Sequence, residues 1–256
     1  MIRLPILASA ALALLVLGGC NENDSRALQG WVEAEMIFVS PDEQGRIEKL
    51  NVRQGNRVTK GELLFTLDDD LQKADVAVRK AALTNAQQAF DRATKLLRTA
   101  AGTQKTYDDA EAALRQAKAN LEASETRLTR RRVLSPAAGT IQEVYYRSGE
   151  TVQPAHPVIA LLPPSNLKIR FFVPQTRLAS IKDGETVKVN CDACAPGLTA
   201  KISFIAQSAE YTPPVIYSRE ERAKLVYLIE ARPDKPEAFR VGQPVTVTLP
   251  DDGPAS

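Results

Sequence analysis

The stretch from Asp68 to Arg132 constrains the fold of this chain more than any other. Between Gly61 and Pro136 the only glycine or proline is Gly102, and apolar residues recur every seven positions on both sides of it. The repeat consists of Val76, Leu83, Phe90 and Leu97 before Gly102, and of Tyr107, Leu114, Leu121 and Leu128 after it. This spacing predicts two helices packed along one seam, antiparallel because the chain reverses near Gly102. A hairpin over residues 68–132 has too little core to stand alone, so another module must hold its base.

The N-terminus has the pattern of an export signal. Arg3 precedes an apolar run from Leu4 to Leu17 that is too short for a membrane-spanning helix, so residues 1–19 are predicted to be a signal peptide. The sequence Leu17-Gly18-Gly19-Cys20 resembles the bacterial lipobox, which implies that Cys20 is lipidated and begins the mature protein. An ordinary signal peptide with an incidental cysteine is the alternative. Residues 20–30 are interpreted as a lipidated tether.

The segments on either side of the hairpin repeat each other at an offset of 94 positions. The matched pairs include Gly45 with Gly139, Ile47 with Ile141, Gly55 with Gly149, Val58 with Val152, Phe65 with Ile159 and Leu67 with Leu161. Apolar residues at every second position predict strands, and glycines at shared places indicate positive φ or a close backbone approach. The two segments are therefore predicted to be halves of one module.

Each half resembles part of a biotinyl/lipoyl-type β-sandwich, through the pattern that starts at Gly45, Ile47 and Leu50. Two such halves separated by a helical hairpin are the arrangement of periplasmic adaptor proteins, the membrane fusion or HlyD-type family, which this chain resembles over nearly its whole mature length. The resemblance implies an elongated, multi-module α+β fold. It further implies an antiparallel α-helical coiled-coil hairpin inserted between two halves of a lipoyl-like β-sandwich, with a small antiparallel β-barrel beside them.

The expected boundaries follow from this arrangement. Residues 31–67 are predicted to form a barrel-entry strand and the first lipoyl half, and residues 133–164 the second half. Residues 165–250 are predicted to form the β-barrel, and residues 251–256 a flexible tail. The barrel-entry strand is expected to run from Trp31 to Val39, and Pro174 to Ile181 to form one short helix.

The resemblance to carrier domains does not extend to their chemistry. A carrier holds its modified lysine in the hairpin between the two halves, and here the helical hairpin replaces that turn. Lys60 lies in a different turn, before Gly61. We therefore expect the lipoyl-like module to be a structural support for the hairpin, with no lipoyl or biotinyl group and no other cofactor.

The hairpin tip contains the first candidate site. Adaptors that dock on TolC-like outer-membrane channels share an arginine, a leucine four positions on and a serine seven further, and Arg92, Leu96 and Thr103 fall at that spacing. A guanidinium and a hydroxyl beside an apolar side chain suit contact with channel helices. The departure is threonine in place of serine. In the alternative interpretation Arg92 belongs to a solvated face and Leu96 to the core.

Acidic and basic residues mark the two ends of the hairpin. Asp68, Asp69 and Asp70 precede the first helix, and Arg127, Arg130, Arg131 and Arg132 close the second. Both clusters suit the helix macrodipole, and no ligand is assigned to them.

Two further segments of the C-terminal half are a candidate contact loop and a candidate disulfide. Tyr211, Thr212, Pro213 and Pro214 resemble a loop of adaptors that serve ATP-binding-cassette exporters, and an ordinary barrel connection is the alternative. Cys191 and Cys194 are interpreted as a local disulfide, as expected in an oxidising periplasm. Half of a zinc site is disfavoured, because no second cysteine pair exists and His156 is the only histidine. A thioredoxin-type redox pair is disfavoured, because such a pair opens a helix and here the cysteines precede Ala195-Pro196-Gly197.

The family resemblance implies a non-catalytic adaptor, linking an inner-membrane ATP-binding-cassette permease and ATPase to a TolC-like outer-membrane channel. Several copies, six by the resemblance, would form a ring in the periplasm, anchored to the inner membrane by the lipid. Asn21 after the cysteine favours an outer-membrane anchor as the alternative.

An adaptor for a proton-driven RND-type pump is the second function, disfavoured by the absence of a further domain after the barrel. A lipoyl/biotinyl carrier or thiol-redox protein is the third. A net charge of +2 and 5% aromatic residues do not favour nucleic acid.

Overall fold

The computed structural model describes residues 27–192, 194–211 and 225–250, which divide into two compact units. One unit combines the residues up to Ala34 with those from Leu167 onward, and the other runs from Glu35 to Asn166. Cys20, most of the tether, Thr212 to Pro214 and the tail from residue 251 lie outside the described residues. Within the described ranges no helix has the length and apolar character needed to cross a membrane.

The unit from Glu35 to Asn166 contains a β-sandwich built from both repeat segments. The first segment supplies β2 (Ile37–Val39), β3 (Gly45–Leu50), β4 (Arg57–Val58) and β5 (Leu63–Leu67). The second supplies β6 (Arg132–Leu134), β7 (Gly139–Val144), β8 (Thr151–Val152) and β9 (Ile159–Leu162). The two four-stranded sheets have the orders β2-β9-β7-β4 and β6-β5-β3-β8, so each sheet takes strands from both segments. The halves therefore interlock.

The internal symmetry extends to single hydrogen bonds. The Gly55 amide donates to the Ile141 carbonyl at 2.8 Å, and its counterpart Gly149 donates to the Ile47 carbonyl at 2.7 Å. Both glycines have positive φ, +85° and +96°, which confirms the prediction for this matched pair. The other matched pair needs a close approach instead: a Cβ on Gly139 would lie 2.5 Å from the Leu162 carbonyl oxygen.

The sandwich core consists of the residues that the repeat matched. The buried pairs are Ile47 with Ile141, Val58 with Val152, Leu64 with Val158, Phe65 with Ile159, and Leu67 with Leu161. All ten side chains are at most 4% exposed. The same apolar pattern thus fills the space between the sheets from both sides, as expected when one half-module occurs twice.

The inserted hairpin consists of α1 (Asp70–Arg98) and α2 (Gln104–Thr129). All eight heptad residues are partly buried along the seam, and Ala93 and Ser124 are buried, at 6% and 2% exposed. Near the tip the Phe90 and Tyr107 rings lie with their centroids 5.3 Å apart, and near the base the Ser124 hydroxyl donates to the Asp75 carboxylate. These two contacts fix the antiparallel register of the helices.

The other unit is a closed barrel of six antiparallel strands. These are β1 (Ala27–Ala34), β10 (Leu167–Pro174), β11 (Thr186–Asn190), β12 (Leu198–Ile205), β14 (Leu225–Pro233) and β15 (Pro244–Thr248). The short β13 (Glu210–Tyr211) adds to β14, and the pairing of β10 with β14 closes the circle. The inward residues alternate along each strand, as the burial of β10 shows. The predicted fold class is confirmed.

Three expected details differ from the structure. The first barrel strand starts at Ala27, so residues 27–30 belong to β1 and not to the tether. The expected strand from Trp31 to Val39 is divided, because β1 ends at Ala34 and β2 pairs with β9 of the sandwich. The helix expected over residues 174–181 is the single turn α3 (Gln175–Leu178). Apolar alternation alone could not show where the chain passes from one unit to the other.

Candidate docking site at the hairpin tip

Arg92 and Leu96 lie one turn apart on the last part of α1, and both side chains are exposed. Leu96 is 47% exposed, whereas its neighbour Leu97 points into the seam between the helices. The alternative that placed Leu96 in the core is therefore wrong. The tip presents an apolar side chain to solvent, with the guanidinium of Arg92 on the same side of the helix.

The turn between the helices is a Schellman motif. The Ala100 amide donates to the Leu97 carbonyl at 3.1 Å, and the Ala101 amide donates to the Leu96 carbonyl at 2.9 Å. The motif needs a left-handed residue after the helix, and this residue is Ala100, with φ of +57°. Gly102 has another function: a Cβ there would lie 3.0 Å from the Leu96 Cβ. Its lack of a side chain lets the backbone pass closely over Leu96.

Thr103 starts the second helix as its N-cap. Its hydroxyl oxygen accepts from the Thr106 amide at 3.1 Å and lies 2.7 Å from the Thr106 hydroxyl. A serine would fill the same position, which gives a physical reason for a hydroxyl residue at this spacing. The structure thus brings Arg92, Leu96 and Thr103 to one tip, and it gives Thr103 a capping role that the sequence pattern did not reveal.

Ala100→Gly is expected to raise the free energy of unfolding by about 0.5–1 kcal/mol, because glycine adopts the left-handed conformation without the steric penalty of a Cβ. Urea denaturation followed by circular dichroism measures the change. Ala101→Gly is the matched control, since Ala101 is not among the residues with positive φ. An equal gain in both variants would contradict the assigned turn geometry.

Arg131 holds the base of the hairpin, a role that sequence reasoning missed. The residue is only 8% exposed, and its guanidinium donates to the Gln44 carbonyl at 2.8 Å and to Glu43 Oε2 at 3.2 Å. Gln72 of α1, with its amide oxygen turned towards the guanidinium, accepts from Arg131 Nε at 3.1 Å. Gly45 makes room for this group, because a Cβ there would lie 2.6 Å from Arg131 Nη1. One buried cation therefore joins both helices to the sandwich.

The acidic residues before α1 are held by neighbouring cations. Arg46 donates to Asp68 Oδ2 at 2.7 Å and lowers the pKa of that carboxyl. Lys73 lies 2.6 Å from Asp69 Oδ1, and this carboxylate raises the pKa of the lysine. Asp70 opens the first turn of the helix, as the macrodipole favours. These pairs fix the entry of the chain into α1.

Acidification is expected to loosen the seam near Asp75, because the Ser124 hydroxyl that donates to it lowers the pKa of this carboxyl. A carboxyl with a lowered folded-state pKa contributes stability that is fully present above its unfolded pKa of about 3.9. That contribution is lost as the pH falls through the folded pKa. Ser124→Ala should therefore weaken the pH dependence of the urea midpoint between about pH 4 and pH 2.

The control for this experiment is Thr84→Ala, because the Thr84 hydroxyl donates to the Lys80 carbonyl at 3.1 Å. Its pH profile should match that of the parent protein. A Ser124→Ala profile parallel to the parent would show that the hydroxyl does not govern the titration of Asp75.

The other residues named in the sequence predictions lie on separate elements of the chain. Cys191 and Cys194 are joined by a disulfide, with their Cα atoms 5.3 Å apart, in the connection after β11. Tyr211 contributes its backbone to β13, and Thr212, Pro213 and Pro214 lie outside the described residues. Lys60 is exposed in the turn between β4 and β5, and exposed His156 lies with Nδ1 3.2 Å from the Pro154 carbonyl.

Metal-binding clusters and grooves are the other places where a functional site could lie. Among the described residues no group of three or more histidine, cysteine, aspartate or glutamate side chains is placed to hold a metal ion. An open groove of about 430 Å³ lies between the edge strands β2 and β6, where Arg130 and Asp42 form an ion pair at 3.6 Å. Its lining contains neither histidine nor cysteine. The exposed tip is therefore the stronger candidate for a functional surface.

The first similarity to known proteins concerns the segment that contains the sandwich. The family model "RND MFP, barrel-sandwich hybrid domain" matches residues 35–162, half of the chain. The UPF0194 membrane protein in the asrC 5′ region of Acidithiobacillus ferridurans is 25% identical over an alignment 292 positions long, gaps included, which covers 87% of this chain and 86% of the relative. That name describes no activity.

Two solved structures share the fold. The MacA–MexA chimeric protein that contains the Pseudomonas aeruginosa MexA α-hairpin domain superimposes with a TM-score of 0.71 and 23% identity, over 88% of this chain and 82% of the chimera. The membrane fusion protein Spr0693 from Streptococcus pneumoniae superimposes with a TM-score of 0.68 and 18% identity, over 88% of this chain and 100% of Spr0693. At these identities the likeness concerns the fold alone.

Proposed function

Because the chain belongs to the membrane fusion protein family with a barrel-sandwich hybrid domain, we propose that it is the periplasmic adaptor of a tripartite export system. Membrane fusion proteins link an inner-membrane transporter to an outer-membrane channel. The observation that carries the proposal is the tip, where Leu96 is 47% exposed beside an exposed Arg92. Arginine is enriched among the few interface residues that contribute most of the binding energy.

The tip is the surface for a TolC-like outer-membrane channel. The Arg92 guanidinium offers five donors to carbonyls and side chains of channel helices, and Leu96 fills an apolar pocket. Thr103 presents its hydroxyl at the same end of the hairpin while it caps α2. Its contribution to docking is therefore coupled to the shape of the turn.

The inner-membrane partner is an ATP-binding-cassette exporter. The resemblance of Tyr211, Thr212, Pro213 and Pro214 to a loop of such adaptors supports this choice, and prolines hold a loop extended. The description of the matching family model favours an RND-type pump, which is the second candidate. The adaptor carries out no reaction of its own in either system.

Attachment to the membrane relies on the lipid at Cys20. The first barrel strand starts at Ala27, so at most about 25 Å of extended chain separates it from the anchor. The barrel therefore stays close to the inner membrane, where the exporter lies. Membrane fractionation and blotting test the location, and recovery in the outer membrane alone would contradict an inner-membrane anchor.

The decisive experiment is purification of the tagged, full-length protein from its native membranes after mild cross-linking. Mass spectrometry is expected to find a permease, an ATPase and an outer-membrane channel in the same complex. A large proton-driven pump in place of the permease and ATPase would select the second candidate. Recovery of neither transporter nor channel would contradict the adaptor function.

A further inference from the structure

The end of α1 and the start of α2 carry only positive charge. Residues 92–107 contain four cationic side chains and no aspartate or glutamate. The four are Arg92, Lys95, Arg98 and Lys105, all of them exposed, and we call them the basic collar. From Arg92 to Arg98 the helix rises only about 9 Å, which is within the Debye length of about 10 Å at 0.1 M salt. The charges of the collar therefore act together on an approaching molecule.

The collar differs from the rest of the hairpin in having no ion pairs. Further down, cations pair with carboxylates four residues away, as in Lys73 with Asp69, Arg79 with Asp75, and Arg115 with Glu111. Among the residues that the structure describes, no cation of the collar forms such a pair. The nearest carboxylates accept from amides instead: Gln87 donates to Asp91 at 3.0 Å, and Gln104 donates to Asp108 at 2.8 Å.

Lys105 is the member of the collar that helix stability does not explain. Lys95 and Arg98 lie in the last turn of α1, where the helix macrodipole favours cations. Lys105 lies in the first turn of α2, where the macrodipole disfavours a cation, and this turn contains no acidic residue. The same chain starts α1 with Asp70, as the macrodipole favours. A residue that breaks a local rule without a compensating contact inside the molecule points to a contact outside it.

The collar surrounds an apolar side chain. Arg92, Lys95 and Arg98 follow one another at intervals of three, so they are neighbours on the helix surface and repel each other. Leu96 emerges among them and is 47% exposed. A surface that complements this arrangement has an apolar pocket with negative charge around it. On a protein partner at neutral pH, this charge comes from aspartate and glutamate side chains.

We propose that the basic collar selects an outer-membrane channel whose periplasmic entrance carries carboxylates around the pocket for Leu96. This inference rests on the proposed adaptor function and specifies the partner surface. Charges at the rim of an interface mainly accelerate association and exclude partners of like charge. Lys95, Arg98 and Lys105 therefore discriminate between channels, each with a smaller effect than Arg92, which makes the central contact.

The association rate between the full-length adaptor and the channel that co-purifies with it, both in detergent, tests the proposal. Lys105→Glu is expected to slow association about fivefold at 0.05 M NaCl, and less than about twofold at 0.5 M NaCl, where salt screens the charges. The urea midpoint of this variant should rise, because a glutamate suits the start of α2. Slower association in a more stable protein cannot result from misfolding.

Lys118→Glu is the matched control for Lys105→Glu. It makes the same charge reversal at an exposed position of α2, more than three helical turns further from the tip. Its association rate at 0.05 M NaCl should stay within about twofold of the parent value, because the screened field of one charge fades over this distance. An equal slowing in Lys118→Glu and Lys105→Glu would overturn a local role of the collar.

The other outcomes separate this inference from the adaptor function. Unchanged or faster association of Lys105→Glu, with a channel that still co-purifies, would overturn the acidic entrance and leave the adaptor function intact. Salt-sensitive binding to purified peptidoglycan sacculi that Lys105→Glu abolishes, with unchanged channel association, would assign the collar to the cell wall and overturn the proposal. Failure of the parent protein to bind any outer-membrane channel would contradict the adaptor function itself.

Discussion

Arg92→Glu is expected to weaken contact with the outer-membrane channel about 30-fold, because loss of a central interface residue costs about 2 kcal/mol or more. A photoreactive amino acid at Lys95 in living cells measures the contact, as the yield of the adduct between adaptor and channel. Leu96→Glu should have an effect of the same size, since it places a carboxylate where an apolar pocket is expected. Both residues are exposed, so the unfolding free energy should change by less than about 0.5 kcal/mol.

Arg98→Glu is the matched control for charge at the tip. It makes the same charge reversal on an exposed residue of the last turn of α1. An equal loss of adduct in Arg92→Glu and Arg98→Glu would mean that net charge governs the contact, and would contradict a specific role for Arg92.

Arg131→Met is expected to lower the free energy of unfolding by about 2–4 kcal/mol. Methionine keeps much of the side-chain length but donates no hydrogen bonds, so the Gln44 carbonyl and Glu43 lose the donors they have now. Large losses of this kind are typical of a broken buried polar network. Urea denaturation gives the stability, and amide hydrogen exchange in the first turns of α1 should quicken.

Arg132→Met serves as the control, because Arg132 is exposed in the same arginine run. Its unfolding free energy should stay within about 0.5 kcal/mol of the parent value. If Arg131→Met and Arg132→Met behaved alike, the network at the hairpin base would contribute nothing measurable to stability.

The periodic features of the sequence predicted the fold well. The heptads around Gly102 specify the seam, because burial in a two-helix pair follows the same period as the sequence. The repeat between Ile47 and Ile141 specifies the sandwich for a similar reason, since alternating strands place every second residue in the core. Both patterns are repeated many times, so single exceptions such as the buried Ser124 do not obscure them.

Features that depend on a single residue could not be predicted in this way. Glycine is the usual left-handed residue after a helix, so Gly102 attracts attention, yet Ala100 has the positive φ and Gly102 provides space. Arg131 resembled its neighbours in a basic run, and only the positions of Gln44 and Gln72 distinguish it as buried. These roles follow from contacts between distant segments, which local patterns do not contain.

The interlocked sandwich has a consequence for the order of folding. Neither half can complete a sheet before the other is present, and Leu67 and Arg132 are separated by the whole hairpin. Closing a flexible loop of about 65 residues costs roughly 2 kcal/mol more than closing a short one. The hairpin forms through local contacts, and once folded it brings the ends of β5 and β6 together. Substitutions in the Phe90–Tyr107 seam should therefore slow folding, whereas substitutions in the barrel should mainly speed unfolding.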